Sequence, residues 1–381
     1  MKIVKLAIFG LPFLLSSIAN AGEYSSDNFS LDYKVNIRGY YGVSETHKKD
    51  SHNNLPNRFV NRNDAKIKAE YAFNDDYKIS WNNSSSLIFR QHDSRYEHDG
   101  EWRFYNWGIV DTPYGRFSAG EDFNAAYLFH KGAKDVGPMG ITDTNLTWFV
   151  SNHNWKNGKK AVSFLTPKST SILTDGRAAK VSYVTPKLGN TLLGFSYTPD
   201  TPSRRGLTSR YNTYERDDAY VAAMHNEWEL DFADIYTSAG YGLFNRTDKE
   251  LSLGLTLVKG GWTAAAGYRK SYIDGKKNQI TTAAIDPRRP AYYDNYRESQ
   301  SWDFSLGYEI GPVETSISYL HTKADNTPNK DDIIIWSNNY ACNKWLDIYA
   351  IGAYLNSRGV DKQDANRNKG YAFIAGAGVN F

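Results

Sequence analysis

Residues 31–41 read LDYKVNIRGYY, and residues 64–73 read DAKIKAEYAF. In the first, Leu31, Tyr33, Val35, Ile37, Gly39 and Tyr41 alternate with Asp32, Lys34, Asn36 and Arg38. In the second, Ala65, Ile67, Ala69, Tyr71 and Phe73 alternate with Asp64, Lys66, Lys68 and Glu70. A helix would scatter these residues around its circumference. A strand sends successive side chains to opposite faces, so each stretch has one apolar face and one charged face. The same period returns at Leu251–Leu257, Trp302–Glu309, Val313–Tyr319 and, with small residues between, Tyr371–Phe381.

Working outward from these runs, the punctuation is asymmetric. Some joins are tight and made of turn formers, such as Asn74-Asp75-Asp76, Thr112-Pro113-Tyr114-Gly115, Lys259-Gly260-Gly261 and Gly311-Pro312. Others are long and polar, at about 42–63, 91–100, 198–217, 270–300, 321–330 and 356–370. The alternation predicts strands at 31–41, 64–73, 77–90, 101–111, 115–121, 176–185, 190–198 and 218–229. It predicts a second set at 234–244, 250–258, 261–269, 301–309, 313–320, 331–340, 345–355 and 371–381. The fourth, eighth and fourteenth of these sixteen alternate poorly. An even strand number, with both chain ends on the short-turn side, fits a closed antiparallel ring.

Composition narrows the setting. The chain has 381 residues, 40% hydrophobic and 15% aromatic, with a mean hydropathy of −0.60. Lys2, Lys5, the apolar run Leu6–Leu15 and Ala19-Asn20-Ala21 form the charged, apolar and cleavage regions of a signal peptide at 1–21. Cleavage would leave 22–381 as one exported unit and take the formal charge from +3 to +1. No later apolar stretch reaches the roughly 20 residues of a spanning helix. The membrane option that remains is a closed β-barrel. Near-neutrality argues against a nucleic-acid partner, and the lone Cys342, read as part of a short-turn join, against a disulfide scaffold. A soluble sandwich fits less well, because inward charges such as Arg103, Asp303 and Glu309 cannot share a dry core unpaired. They can line a water-filled lumen, while Tyr and Trp at strand ends (Tyr41, Trp81, Trp262, Tyr308) suit the two interfacial girdles.

The ending YAFIAGAGVNF, with its terminal Phe381, resembles the last strand of Gram-negative general porins. YGRFSAGED (114–122), GRAAKVSYVTPKLGNTLLGFSY (176–197) and LDIYAIGAYLNS (346–357) resemble that family's strand before the constriction loop, its central hairpin and its penultimate strand. The resemblance spans the mature chain. It implies a sixteen-stranded transmembrane antiparallel β-barrel in the outer membrane, assembled as a homotrimer. Each barrel would pass small hydrophilic solutes and ions passively. It also implies that the third long loop folds inward and that Phe381 serves barrel assembly.

The longest connection, about 122–175, is where such a constriction belongs, since a long loop without strand pattern is usually functional. Phe123–Lys131 can form a short helix, and Gly137-Pro138-Met139-Gly140 a turn. Glu121, Asp122, Asp135 and Asp143 supply carboxylates. The basic candidates opposite are Arg38, Lys66, Lys68, Arg90, Arg103 and Arg116. Opposed rows would set a transverse field across a narrow throat; ordinary solvated lumen charges are the bland alternative. The family's PEFGG-like loop tip is missing, with GPMGITDTN in its place, and 161–173 reads as an extra hairpin or second inward lobe. The rivals are a barrel enzyme, built on His92, Asp93, Glu97 and His98 or on His130 and Asp135, and a substrate-specific channel or adhesin using Arg288, Arg289, Tyr292 and Tyr293. None has a triad context or strong metal-ligand spacing. No cofactor is called for.

Overall fold

In the computed structural model, strands meet edge to edge in chain order. The structure describes residues 23–46, 57–90, 99–134, 136, 139–141, 146–149, 169–200, 218–244, 246, 248–272, 298–325, 330–358 and 368–381. The segment 1–21 lies outside these residues. So do Asp135, Asp143, Gly137, Pro138, the tyrosine-rich 288–296 stretch and the outer-loop histidines 92 and 98. The strands are β1 (Glu23–Ser25), β2 (Phe29–Thr46), β3 (Asn57–Ala72), β4 (Lys78–Arg90), β5 (Asp99–Thr112), β6 (Gly115–Glu121), β7 (Ala179–Val184), β8 (Thr191–Thr198) and β9 (Ala219–Leu230). They continue as β10 (Ala233–Phe244), β11 (Asp248–Lys259), β12 (Trp262–Tyr272), β13 (Ser299–Ile310), β14 (Val313–Ala324), β15 (Lys330–Asn343), β16 (Leu346–Arg358) and β17 (Asn368–Asn380). Two short helices, α1 (Ala125–Phe129) and α2 (Leu146–Phe149), interrupt the series after β6.

From β2 to β17 each strand pairs antiparallel with the next, and β17 returns to β2 with Gly370 opposite Thr46 and Asn380 opposite Asn36. The ring is therefore a closed sixteen-stranded barrel, and closure leaves no strand edge unpaired. All sixteen expected strands are present. Several run longer than the alternation suggested: β2 has 18 residues and β3 has 16. About 9–11 suffice to cross the hydrocarbon. The extra length lies at the outer end, where both faces of a strand can be polar and period two fades. Cys342, expected in a turn, instead sits in the last residues of β15, beside a register shift between Ala341 and Asn343.

The short joins turn as their residues require. Gly260 and Gly261 have φ of 54° and 85°, a left-handed pair that closes β11 onto β12. The small strand β1 was not expected. It folds back on the start of β2, with Tyr24 opposite Leu31, and lies outside the ring. It occupies the ladder position below Phe381, whose N–H donates to Val35 O at 2.9 Å and whose carbonyl accepts from Val35 N at 3.0 Å. The Phe381 ring lies 6.3 Å from that of Trp345.

Register divides the two faces as the alternation predicts. Leu253, Leu255, Phe304, Ile317 and Trp336 point outward and are exposed, between 39% and 53%. Ser252, between the leucines, points inward, but it does not face water: it is 1% exposed. Asp303, expected as a wet lumen charge, is likewise buried, at 2%. Both lie beneath chain that has folded into the barrel.

Candidate functional site

The chain after β6 turns into the lumen and follows the wall. Asn124 caps α1, its Oδ1 accepting from Tyr127 N at 2.8 Å. Ala125 and Ala126 press against the inner wall at Gly194 and Gly240. A Cβ on either glycine would lie 2.7 or 2.6 Å from an alanine Cβ, so only glycine admits the helix this closely.

Beyond α1 the backbone donates to the wall at successive strands. Lys131 N bonds Ser238 Oγ of β10 at 2.9 Å, and Ala133 N bonds Asp303 Oδ1 of β13 at 2.8 Å. Lys134 N bonds Ser305 Oγ at 2.9 Å, and Val136 N bonds Ser316 Oγ of β14 at 3.1 Å. Met139, Ile141, Leu146 and Phe149 then pack, at most 1% exposed, on an apolar stretch of wall. That stretch includes Leu320, Ile333, Ile335, Ile351 and Ile374, and reaches Tyr40 and Val60 on β2 and β3. Each fully buried side chain of this kind contributes about 1.5–3 kcal/mol.

The returning chain is fixed by ionic and hydroxyl groups. Thr170 donates to Asp303 and meets His130 Nε2 at 2.8 Å. Thr174 and Arg269 Nη2 both bond Glu250, the latter at 2.6 Å. Asp175 and Lys180 form a fully buried pair at 3.5 Å, joined by Asn124 at 2.5 Å and Thr198 at 3.0 Å. Of the expected 161–173 lobe, residues 169–173 do run inward along the wall; 161–168 lie outside the described residues. Burial lowers the pKa of His130 to about 4, with Arg269 adding to the effect. Burial also raises that of Asp122, against the Phe123 N–H, Arg177 and Lys180.

The inner face of β2–β6 carries the basic candidates. Arg38 and Arg62 both reach Asp64, at 3.3 and 2.9 Å, and Ser86 Oγ donates to the same carboxylate at 2.5 Å. Lys68 pairs with Glu70 at 2.6 Å, while Lys66 is exposed in the lumen. Arg103 stands exposed on β5. Arg116 sits at the short-turn end, bonded to Asp111 at 2.6 Å. Arg90 ends β4, and its side chain lies outside the described residues. Glu121, expected in the acidic row, closes β6 on the outward parity of Phe117 and Ala119, because strand alternation puts Gly120 and not its neighbour on the inner face; Asp122 lies 3.8 Å from Arg177.

Arg177, not singled out in the sequence, stacks on the rings of Tyr105, Trp107 and Phe123 at 4.1, 4.9 and 4.9 Å, and so ties the loop's two ends to β5. Also unforeseen is a polar patch on the outward face of β3–β5. Asn63 Nδ2 bonds Asn61 Oδ1 at 2.7 Å, and Asn83 Nδ2 bonds Asn106 Oδ1 at 3.1 Å. Among the described residues no group of three or more His, Cys, Asp or Glu could hold a metal ion.

Solved structures share this architecture. OmpF of Salmonella typhi, in complex with daunomycin, superposes with a TM-score of 0.62 at 14% identity, over 94% of this chain and all of that one. The trimer form of in-vitro folded OmpT, an outer membrane protein of Vibrio cholerae, gives 0.54 at 11%, over 93% and 100%. An anion-selective porin from Comamonas acidovorans gives 0.52 at 11%, over 93% and 100%. At such identities these likenesses speak to the fold. No curated protein matches the chain in sequence. The family model described as Gram-negative porin does match, over residues 11–360, and the chain belongs to that family, whose barrel is a channel for passive diffusion.

Proposed function

We propose that this channel discriminates small hydrophilic solutes and ions by a transverse field, with no catalytic step. The reading rests on one observation above all. The inward segment lies against the wall from β7 round to β3, and basic side chains predominate on the inner face of β2–β6. Lys34, Arg38, Arg58, Arg62, Lys66, Lys68, Lys78, Arg103 and Arg116 stand there against Asp32, Asp64, Glu70 and Asp111. Acidic groups supply the other sign: Asp122 where the segment leaves β6, and Asp135 and Asp143 further along its sequence. Glu309 and Glu314, register partners on the inner face of β13 and β14, add to it across the ring. In a confined aqueous throat such rows act more strongly than in bulk water.

The same reading has the chain exported by its first 21 residues to the outer membrane and assembled there as a homotrimer. Support for assembly comes from Asn61, Asn63, Asn83 and Asn106. Amides in the middle of an outward face are costly against acyl chains, but suit the face of a second copy. Reversal potentials in planar bilayers under a salt gradient test the field. Lys66→Ala with Lys68→Ala should move the potential toward cation preference, and Asp135→Asn with Asp143→Asn should move it oppositely. Both shifts should shrink at 1 M salt, where the Debye length is about 3 Å. Potentials that stay fixed at low salt in every variant would refute the field.

A further inference from the structure

The inner face of β3–β5 has cations on one bank and rings on the other. Register sets the rows. Lys66 of β3 lies opposite Ser84 of β4, which lies opposite Tyr105 of β5. One step nearer the short turns the row is Lys68, Asn82 and Trp107. Neighbouring strands are about 4.8 Å apart, so the lysine and aromatic strands stand about 10 Å apart across the small residues of β4.

The rings continue off the wall. Arg177 Cζ lies over Tyr105, Trp107 and Phe123, and the Phe123 ring stacks on Tyr127 of α1 at 4.0 Å and 20°. The result is a ladder of four half-buried rings with a guanidinium inside it, running from β5 onto the inward segment. Packing accounts for the guanidinium but leaves the polar tips of the ladder unused. Among the described residues, Tyr105 Oη, Tyr127 Oη and Trp107 Nε1 have no hydrogen-bond partner, and none of the three is shut off from the lumen.

The unspent groups decide what this trough can hold. Its carboxylates are committed: Asp64 to Arg62 at 2.9 Å, Glu70 to Lys68 at 2.6 Å, and Asp122 to the Phe123 N–H at 2.7 Å, with Arg177 nearby. Lys66 is exposed and, among the described residues, in no ion pair. What remains is three donors, one mobile cation and the ring faces. A neutral sugar needs acceptors for its hydroxyl protons as well as donors. An ionised carboxylate is acceptor-only, and its bonds to donors are the charge-assisted kind. A ring attached to it finds offset or edge-on partners in the ladder.

We propose that the ladder and Lys66 form a lumenal subsite for small aryl carboxylates. The ring lies against Tyr105, Trp107 and Tyr127, and the carboxylate lies over Ser84 toward Lys66. The proposal deepens the channel reading and rests on it for access from the bulk. It names a solute class that a field alone would not separate from other anions of equal charge.

The test uses the full mature chain in planar bilayers and reads the concentration of each probe that halves the current. The probes are benzoate, cyclohexanecarboxylate, benzamide and glucose. Benzoate should act at about 2- to 10-fold lower concentration than cyclohexanecarboxylate, the measure of one added aromatic contact. Lys66→Gln should raise the benzoate concentration about fivefold, the upper end for a solvent-exposed ion pair, and leave benzamide where it was. Saturation-transfer NMR on the same barrel in detergent should rank the probes alike and needs no conduction. Equal potency of benzoate and cyclohexanecarboxylate on the unaltered barrel would overturn the subsite while leaving the field standing. Benzamide or glucose acting as well as benzoate would also overturn it, as would a Lys66→Gln effect as large on benzamide as on benzoate. Benzoate preference with reversal potentials fixed in every charge variant would support the subsite and overturn the field.

Discussion

Gly42 and Phe149 offer a decisive test of how the inward segment is held. Gly42 lies on the inner face of β2, and a Cβ there would sit 2.6 Å from Phe149 Cδ1, closer still to Cε1, and 3.0 Å from Ile374 Cγ1. The ring cannot retreat freely, since Phe149 is 1% exposed within the apolar cluster. Gly42→Ala should therefore loosen the docking of α2 by about 1–3 kcal/mol, as overpacking does. Phe149→Ala should cost about 3–5 kcal/mol of the same docking. Once the ring is gone only the 3.0 Å approach to Ile374 Cγ1 remains, and that side chain can shift into the vacated space, so Gly42→Ala in the Phe149→Ala background should cost much less. The pair thus couples by about 1–3 kcal/mol. Gly39→Ala is the control: it faces outward, where its Cβ would meet the Phe59 ring at an ordinary 3.5 Å. The assay is hydrogen exchange, read by mass spectrometry, at the amides of Ile141 and Leu146–Phe149 in the folded barrel. Additivity of the two substitutions to within about 0.5 kcal/mol would refute the contact. So would a loss of protection confined to β2.

Three further outcomes follow from the geometry. Deleting Phe381 removes the backbone pair with Val35 at the closing seam; the yield of folded, heat-modifiable barrel should fall, with unit conductance of the survivors unchanged. Leu253→Arg should cost about 2–4 kcal/mol in unfolding from lipid, if the site is near midplane, whereas Ser252→Arg should spare the ring and instead raise exchange in α1, which packs over that part of the wall. Because burial holds the His130 pKa at about 4 against 6.5 unfolded, its contribution is full above pH 6.5 and is lost as pH falls toward 4. Protection of the inward segment should drop in that window, by at most about 3 kcal/mol and less as the raised pKa of Asp122 opposes it. His130→Gln should flatten the profile.

The sixteen strands were legible because lipid outside and water inside impose the strictest alternation a chain can carry. Alternation fails where one of those solvents is replaced by protein. Strand 331–340 reads poorly because Ile333 and Ile335 face inward, onto the docked segment rather than water. Strand 218–229 does so because Ala219, Val221 and Ala223 pack with α1, Ile172 and Phe244. Strand 101–111 has Trp107 inward beside Arg177 and Asn106 outward beside Asn83, so both faces depart from the rule. The irregular strands were thus informative: each marks a place where the wall touches chain. Asp303 and Ser252 could not have been foreseen as buried, because a polar inward residue looks the same in sequence whether water or a backbone N–H meets it. The basic residues of β2–β3 were legible as inward, but Asp64, shared by Arg38 and Arg62, was visible only once register placed all three together.

The course of the inward segment is written in the wall more than in the segment itself. Its backbone N–H groups at 131, 133, 134 and 136 are spent on Ser238, Asp303, Ser305 and Ser316, which are side chains of fixed strands. Any residue except proline donates the same N–H, so much of 131–136 can vary without moving the path. The acceptors cannot be replaced so freely, because a buried N–H left unpaired costs about 1–3 kcal/mol. A strand residue is positioned by hydrogen bonds on both sides, so the path inherits the rigidity of the barrel. Such a throat resists deformation by a passing solute. On the proposed reading, selection then falls to the bore's width and to the charges on its rim, which would let a passive pore discriminate without a moving part.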